Sequence, residues 1–193
     1  MTSTVHRTEF MPALRMLITG PLEMMMEDAI TSAAISFCRQ SECVVAKRSI
    51  ARASAGELVT VCDVDGMLSC SIISVSGPNG ELSSGVEYFA ISPNEISILA
   101  PLDELTIWYA MAPANNAEQL PSMLLQQYAD AICAGAASIL YVQPDRPWTD
   151  PKRGAYHQTR FVEGWREAKR FRLQNVQAKQ TTHTNPVRRH QFF

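Results

Sequence analysis

The chain has 193 residues and a mass of 21.4 kDa, the size of one domain or of one domain with a small insertion. Hydrophobic residues make up 46% and charged residues 19%, so the chain can bury a core and is neither collagen-like nor wholly disordered. Charges interrupt every apolar stretch before it reaches the roughly 20 residues that a bilayer requires. Arg7 and Glu9 likewise interrupt the N-terminus, so we predict no export signal, membrane span or membrane partner.

The charge is distributed unevenly along the chain. From Lys152 onward ten basic residues stand against two acidic ones, a formal charge of +8. Residues 1–151 carry the remaining seven bases and seventeen acids, a formal charge of −10. The basic part is either a solvated helix face followed by a soluble tail, or a surface that docks on something acidic, either nucleic acid or another protein.

No pattern of reactive or metal-binding residues stands out. The five cysteines are odd in number, lie in apolar segments and include no Cys-x-x-Cys pair, which indicates reduced, buried thiols. The four histidines lie near the ends of the chain, and there is no phosphate-binding glycine loop, Gly-x-Ser-x-Gly elbow or His-Glu-x-x-His motif. We therefore expect a protein that is not an enzyme, with no catalytic residue, metal or cofactor.

Hydrophobic spacing predicts a first long helix over about residues 21–40, preceded by an N-terminal arm at 1–20. Pro21 suits the first turn of this helix because a helix start tolerates proline. Four apolar residues recur at the spacing of one buried helical stripe, namely Met26, Ile30, Ala33 and Phe37.

Residues 44–113 change to short β-branched and aromatic runs separated by Gly, Pro, Asn and Asp, which predicts antiparallel β-structure. The pair Asp65-Gly66 predicts a hairpin between strands at 57–63 and 67–75, since a type I′ turn favours these residues. A second turn is predicted at 77–80. Further strands are predicted at 86–90, 95–99 and 104–111.

Two more helices are predicted. One spans about residues 121–142 and contains the small-residue run AICAGAA at 131–137, where another backbone can approach closely. The last helix begins at Asp150-Pro151, where either Asp150 or Thr149 could supply the cap and Pro151 is a first-turn proline, and it ends near residue 174.

These elements predict an α+β fold, in which an α-helical bundle of three main helices carries an inserted antiparallel β-sheet region and an extended C-terminal tail. The helical core is expected at 21–43 and 120–175, the β region at 44–113 and the tail at 176–193. The tail is polar and basic and ends in two phenylalanines.

Three segments together resemble the head-to-tail adaptor (head completion, or connector) proteins of tailed bacteriophages, especially short-tailed ones. The first is EDAITSAAISFCRQS at 27–41, with its acidic-Ala-Ala pattern and late Phe-Cys. The second, at 120–144, is similar to the family's Tyr-x-x-Ala-Ile-x-x-Gly-Ala helix through Tyr128, Ala131, Ile132, Gly135 and Ala136. The third, at 146–168, follows the family's Pro-Trp-x-Asn/Asp-Pro helix start through Pro147, Trp148, Asp150, Pro151, Ala155, Tyr156, Phe161, Gly164 and Ala168.

The resemblance implies a non-enzymatic component of the virion at the head–tail junction, assembled in the cytoplasm of the bacterial host. Such proteins form a homo-oligomeric ring, typically of twelve copies, that docks beneath the portal protein ring and offers a platform to the tail or tail-tube (nozzle) protein. The ring continues the channel through which viral DNA passes without sequence-specific contacts. The part of the chain with net negative charge, residues 1–151, would line that channel and repel DNA.

Two sets of candidate site residues follow. The portal-binding residues expected in the last helix and the tail are Arg166, Lys169, Arg170, Arg172, Lys179, Arg188, Arg189, Phe192 and Phe193. The residues expected to pack either helices or subunits are Tyr128, Ala131, Ile132, Gly135, Ala136, Trp148, Phe161 and Trp165. Two other functions stay open: a nucleic-acid-binding module that uses the basic helix, and a tail-completion or stopper protein that binds a different ring.

Overall fold

The computed structural model describes residues 3–175, so the predicted tail at 176–193 lies outside the described residues. These residues contain four α-helices, one more than the three main helices predicted. In chain order they are α1 (Met11–Leu17), α2 (Glu23–Ser41), α3 (Ser122–Tyr141) and α4 (Pro151–Asn175). The long helices begin and end within two residues of their predicted bounds. None of the helices between residues 3 and 175 has the length and hydropathy needed to cross a membrane.

The strands are all antiparallel and form three sheets, which confirms the α+β class. The strands are β1 (Thr4–His6), β2 (Val45–Ile50), β3 (Leu58–Thr60), β4 (Met67–Gly77), β5 (Gly80–Glu81), β6 (Tyr88–Ser92), β7 (Glu95–Ile98), β8 (Leu105–Pro113) and β9 (Gln119–Pro121). One sheet has the order β2-β8-β4-β5, a second has the order β3-β7-β6, and β1 pairs with β9.

The hairpin predicted through Asp65-Gly66 is wrong. Strand β3 pairs with β7, and β4 pairs with β8, so the two strands on either side of this turn belong to different sheets. Gly66 has a φ of 69°, but Asp65 lacks the positive φ that a type I′ turn needs at both central positions. The second predicted turn is confirmed, because Gly77 and Gly80 are paired partners that close the β4–β5 hairpin.

From residue 3 onward, the segment predicted as an N-terminal arm packs against the rest of the fold. A 3-10 helix at Arg7–Phe10 leads into α1, and both Phe10 and Leu14 are fully buried in the core. Arg7 pairs with Glu27 of α2 at 2.9 Å. Because α1 is only seven residues long, its apolar pattern was too short to be recognised as a helical stripe.

The two larger sheets are stacked and share a core. Ile107 and Tyr109 of β8 are buried, as are Ile96 and Ile98 of β7. Arg48 in β2, the register partner of Ile107, donates a hydrogen bond to the carbonyl of Thr60 in β3. The three-stranded sheet therefore covers the Ile107 face of the four-stranded one.

Helix α2 packs against β8 of the four-stranded sheet. Cys70 in β4 links the two, because its thiol contacts the carbonyl oxygen of Ala110 in β8 at 3.5 Å and that of Cys38 in α2 at 4.0 Å. Helices α3 and α4 pack against α2 and against each other. The β region thus leaves from the C-terminal end of α2, and α4 lies alongside α2.

Candidate functional site

Helix α4 begins at a capped corner. The Oδ1 atom of Asp150 accepts hydrogen bonds from the backbone N–H groups of Lys152 and Arg153, both at 3.1 Å, so Asp150 and not Thr149 is the cap. Trp148, just before this cap, lies against Gly20: a Cβ on Gly20 would be 3.1 Å from its ring. The corner thereby joins the start of α4 to the loop that precedes α2.

Glycines bring α4 unusually close to α3. A Cβ on Gly135 of α3 would lie 2.5 Å from the ring of Phe161, and one on Gly164 of α4 would lie 2.5 Å from the Cβ of Ala131. A Cβ on Gly154 would lie 2.9 Å from Val142. The small residues of α3 are thus used within the chain, since Ile132, Gly135 and Ala136 are all buried there.

An aromatic cluster fills the space among α2, α3 and α4. The ring of Phe37 lies 5.0 Å from that of Tyr128 and 6.1 Å from that of Phe161, measured between centroids. Tyr128 also departs from helical geometry, with φ −129° and ψ 17°, so α3 is kinked at this contact. The predicted packing residues Tyr128 and Phe161 therefore meet one another through Phe37 of α2.

The candidate docking residues of α4 differ in exposure. Arg166 and Arg170 are exposed, and Lys169 is half-buried. The guanidinium of Arg166 lies 5.6 Å from the ring centroid of Trp165, a cation–π contact, and Trp165 itself is half-buried. The remaining candidates, Lys179, Arg188, Arg189, Phe192 and Phe193, lie outside the described residues.

Arg172 is held inside the chain, unlike Arg166 and Arg170. Its guanidinium lies 3.1 Å from the carboxylate of Glu42, and the side chain of Arg172 is only 12% exposed. The sequence contains a signal for this pairing, because Arg172 follows Phe161 and Ala168 on the buried stripe of α4 and a cation there needs a partner. The structure thus separates Arg172, as an intrachain anchor, from the exposed arginines.

The solvent side of α4 is basic and carries apolar groups at both ends. On this side five bases are exposed against two exposed acids, Glu163 and Glu167; the bases are Lys152, Arg153, Arg160, Arg166 and Arg170. Tyr156, near the start, is 61% exposed, and Phe171 and Leu173, near the end, are 57% and 53% exposed. This face therefore offers charge and apolar area together, a combination that suits recognition of a macromolecule.

The described residues hold little that resembles a catalytic centre. No group of three or more His, Cys, Asp or Glu side chains within residues 3–175 is placed to bind a metal ion. All five cysteines are free thiols. His157 is buried in a stack with Tyr141, with ring centroids 5.6 Å apart, and burial with the neighbouring positive charges of Arg160 and Arg153 lowers its pKa.

No protein-family model matches the chain, and no curated protein matches it in sequence.

Proposed function

We propose that this chain is a structural head-to-tail adaptor of a bacteriophage virion. In this proposal twelve copies form a ring that docks on the portal protein, continues the DNA channel and provides the attachment platform for the tail. The helices α2, α3 and α4 are the three-helix bundle that holds the docking surface. The protein acts at the head–tail junction by its geometry and catalyses no reaction.

The observation that carries this proposal is the exposed end of α4. Arg166, Arg170, Phe171 and Leu173 are all exposed there, whereas Arg172 ties this end of the helix to α2. A basic and apolar surface on a fixed helix favours docking on a folded acidic partner. The resemblance of the segments at 27–41, 120–144 and 146–168 to the adaptor family points to the portal as that partner.

The charge of the β region supports the proposed channel. Residues 44–113 contain three bases and eight acids, a formal charge of −5. Two of the three bases are paired, Arg48 with Asp63 at 3.6 Å and Arg52 with Asp103 at 3.8 Å. An acidic surface facing the lumen would repel the phosphate backbone and let DNA pass without sticking.

Native mass spectrometry with purified portal rings of the same virus tests the proposal. We expect the wild-type chain to bind the portal, and we expect Arg166→Glu/Arg170→Glu and a truncation after Asn175 to weaken binding at least about tenfold. Arg52→Glu/Lys47→Glu is the matched control, since it changes the same charge in the β region. Failure of the wild-type chain to bind, or unchanged binding by both variants, would overturn the proposal.

A nucleic-acid-binding module is the second candidate, favoured by Tyr156. This side chain is exposed and lies one helical turn from Lys152 and from Arg160, so a base could stack on it between two cations. Binding of DNA by the isolated chain that weakens steeply with salt, without portal binding, would favour this candidate. A tail-completion or stopper protein would bind a tail-side ring in the same experiment and not the portal.

A further inference from the structure

The three-stranded sheet has one buried and one exposed face. Val59 and Ile96 are paired partners on the buried face and are at most 4% exposed. One residue further along, Leu58, Ser97 and Phe89 form a row across the three strands, on the opposite face. Leu58 is 59% and Phe89 is 43% exposed, so this face lacks a cover within the described chain.

The exposed face is both apolar and acidic. Ile91, at a bulge in β6, and Leu99, just after β7, extend it and are 49% and 44% exposed. Glu95 lies at one end of this face and Glu87 lies at the other. The backbone carbonyl of Glu87 accepts a hydrogen bond from the N–H of Leu99. We call Leu58, Phe89, Ile91 and Leu99, with Glu87 and Glu95, the sheet face.

A second surface with the opposite charge lies where α3 ends and α4 begins. An open groove of about 350 Å³ there is lined by Ile139 of α3, by Val142 just after α3, and by Pro151 and Ala155 of α4. Val142 is 58% exposed. The neighbouring stripe of α4 carries Lys152, Tyr156 and Arg160, all exposed and spaced one helical turn apart. We call these seven residues the groove face.

The two faces cannot meet within one molecule. The groove face lies at the end of the bundle where α2 begins, because Tyr141 donates to the carbonyl of Leu17 at 2.7 Å and Trp148 contacts Gly20. The β region leaves from the other end of α2, after Ser41. Since α2 has 19 residues, the two ends are about 28 Å apart.

We infer that the sheet face of one copy docks on the groove face of a second copy of this chain. The charges are complementary, since the sheet face carries Glu87 and Glu95 and the groove face carries Lys152 and Arg160, and each face offers apolar side chains that the contact would bury. Because the two faces differ, each copy contacts one neighbour through its sheet face and the other neighbour through its groove face. Such a head-to-tail contact either closes into a ring or continues as a filament. The inference deepens the proposed function and rests on it for ring closure.

Charge reversal on each face tests the contact in the full chain without portal. The sheet variant is Glu87→Lys/Glu95→Lys, and the groove variant is Lys152→Glu/Arg160→Glu. By native mass spectrometry or light scattering, we expect the wild type to form oligomers and each variant alone to need at least about tenfold more protein to assemble. Assembly should return when the two variants are mixed, and when all four changes are made in one chain.

A control variant and a check of folding accompany these measurements. Arg52→Glu/Asp103→Lys alters exposed charges outside both faces and should assemble as the wild type does. Circular dichroism checks that each variant is folded. The Glu87 carboxylate accepts a hydrogen bond from the Ser83 N–H, so if Glu87→Lys disturbs the loop between these residues, Glu95→Lys alone replaces the double variant. Phe89→Ser and Tyr156→Ser probe the apolar part of the contact.

Several results would overturn the inference. They are a wild-type chain that stays monomeric at every concentration reached, single variants that assemble as well as the wild type, and a mixture that shows no recovery. DNA binding by a wild-type monomer would assign the groove face to nucleic acid instead. Portal binding is measured separately. If the chain binds the portal but the mixed variants do not assemble, only the contact inferred here is contradicted. If the mixed variants assemble but the chain does not bind the portal, only the portal proposal is contradicted.

Discussion

The guanidinium of Arg172 and the carboxylate of Glu42 lie 3.1 Å apart and join the last turn of α4 to the end of α2. Glu42 has a left-handed backbone, with φ 52°, and its N–H donates to the carbonyl of Cys38, which ends α2. The negative end of the α2 dipole and the Glu42 carboxylate therefore both face a cation. Both side chains are mostly buried, so water replaces the contact poorly when one partner is removed.

We expect Arg172→Ala to lower the free energy of unfolding by about 1–3 kcal/mol, since it leaves a partly buried carboxylate without its charged partner. Arg170→Ala, on the exposed side of the same helix, should change it by less than about 0.5 kcal/mol. Urea unfolding of both variants measures the difference. Equal effects of the two substitutions would show that the ion pair contributes nothing.

The contact of Gly164 with Ala131 predicts that a methyl group at position 164 is not tolerated. Alanine normally stabilises a helix by about 1 kcal/mol relative to glycine, but here the new Cβ would meet another Cβ at 2.5 Å. We expect Gly164→Ala to destabilise the protein by about 1–3 kcal/mol. The double variant Gly164→Ala/Ala131→Gly should recover much of this loss, and additive effects in denaturant unfolding would contradict the predicted contact.

We predict that protonation of His157 lowers the free energy of unfolding at acidic pH. Burial and the charges of Arg160 and Arg153 lower its pKa in the folded protein, whereas the unfolded chain has the ordinary value of about 6.5. The unfolded state therefore binds the proton more tightly, so this contribution is fully present above about pH 6.5 and is lost as the pH falls below it. Unfolding free energies measured as a function of pH should fall less steeply for His157→Gln than for the wild type. Arg160→Gln should give an intermediate slope, and a wild-type slope in His157→Gln would contradict the assignment.

The cysteines should differ in reactivity. Burial raises the pKa of Cys133 to about 12, and burial, together with the charge of Glu42, raises that of Cys70 to about 11. A hydrogen bond from the Cys38 thiol lowers the pKa of Cys43. Since the thiolate is the reactive form, brief iodoacetamide labelling near pH 8 should modify Cys43 before Cys133, as mapped by peptide mass spectrometry. Labelling of Cys133 at the rate of Cys43 in the folded protein would contradict this order, and guanidinium chloride should make the two rates similar.

Local patterns were sufficient to place the long helices and one of the turns. The stripe of Met26, Ile30, Ala33 and Phe37 predicts α2 because helical periodicity is visible within one segment. The Asp150 cap and the Gly77–Gly80 turn are also confirmed, since their hydrogen bonds join neighbours in the chain. The same local information marks the small residues of α3 as a place of close approach.

Only the tertiary structure decided which segments meet. It placed Phe161 and Ala131 against the glycines of the opposite helix, gave Arg172 its partner 130 residues away, and paired β3 with β7 instead of with the strand that follows it. A turn motif such as Asp65-Gly66 specifies only a few dihedral angles, whereas strand pairing and ion pairing depend on which distant surfaces are buried together. That choice is a free-energy difference of the whole fold, so no short window of the sequence contains it.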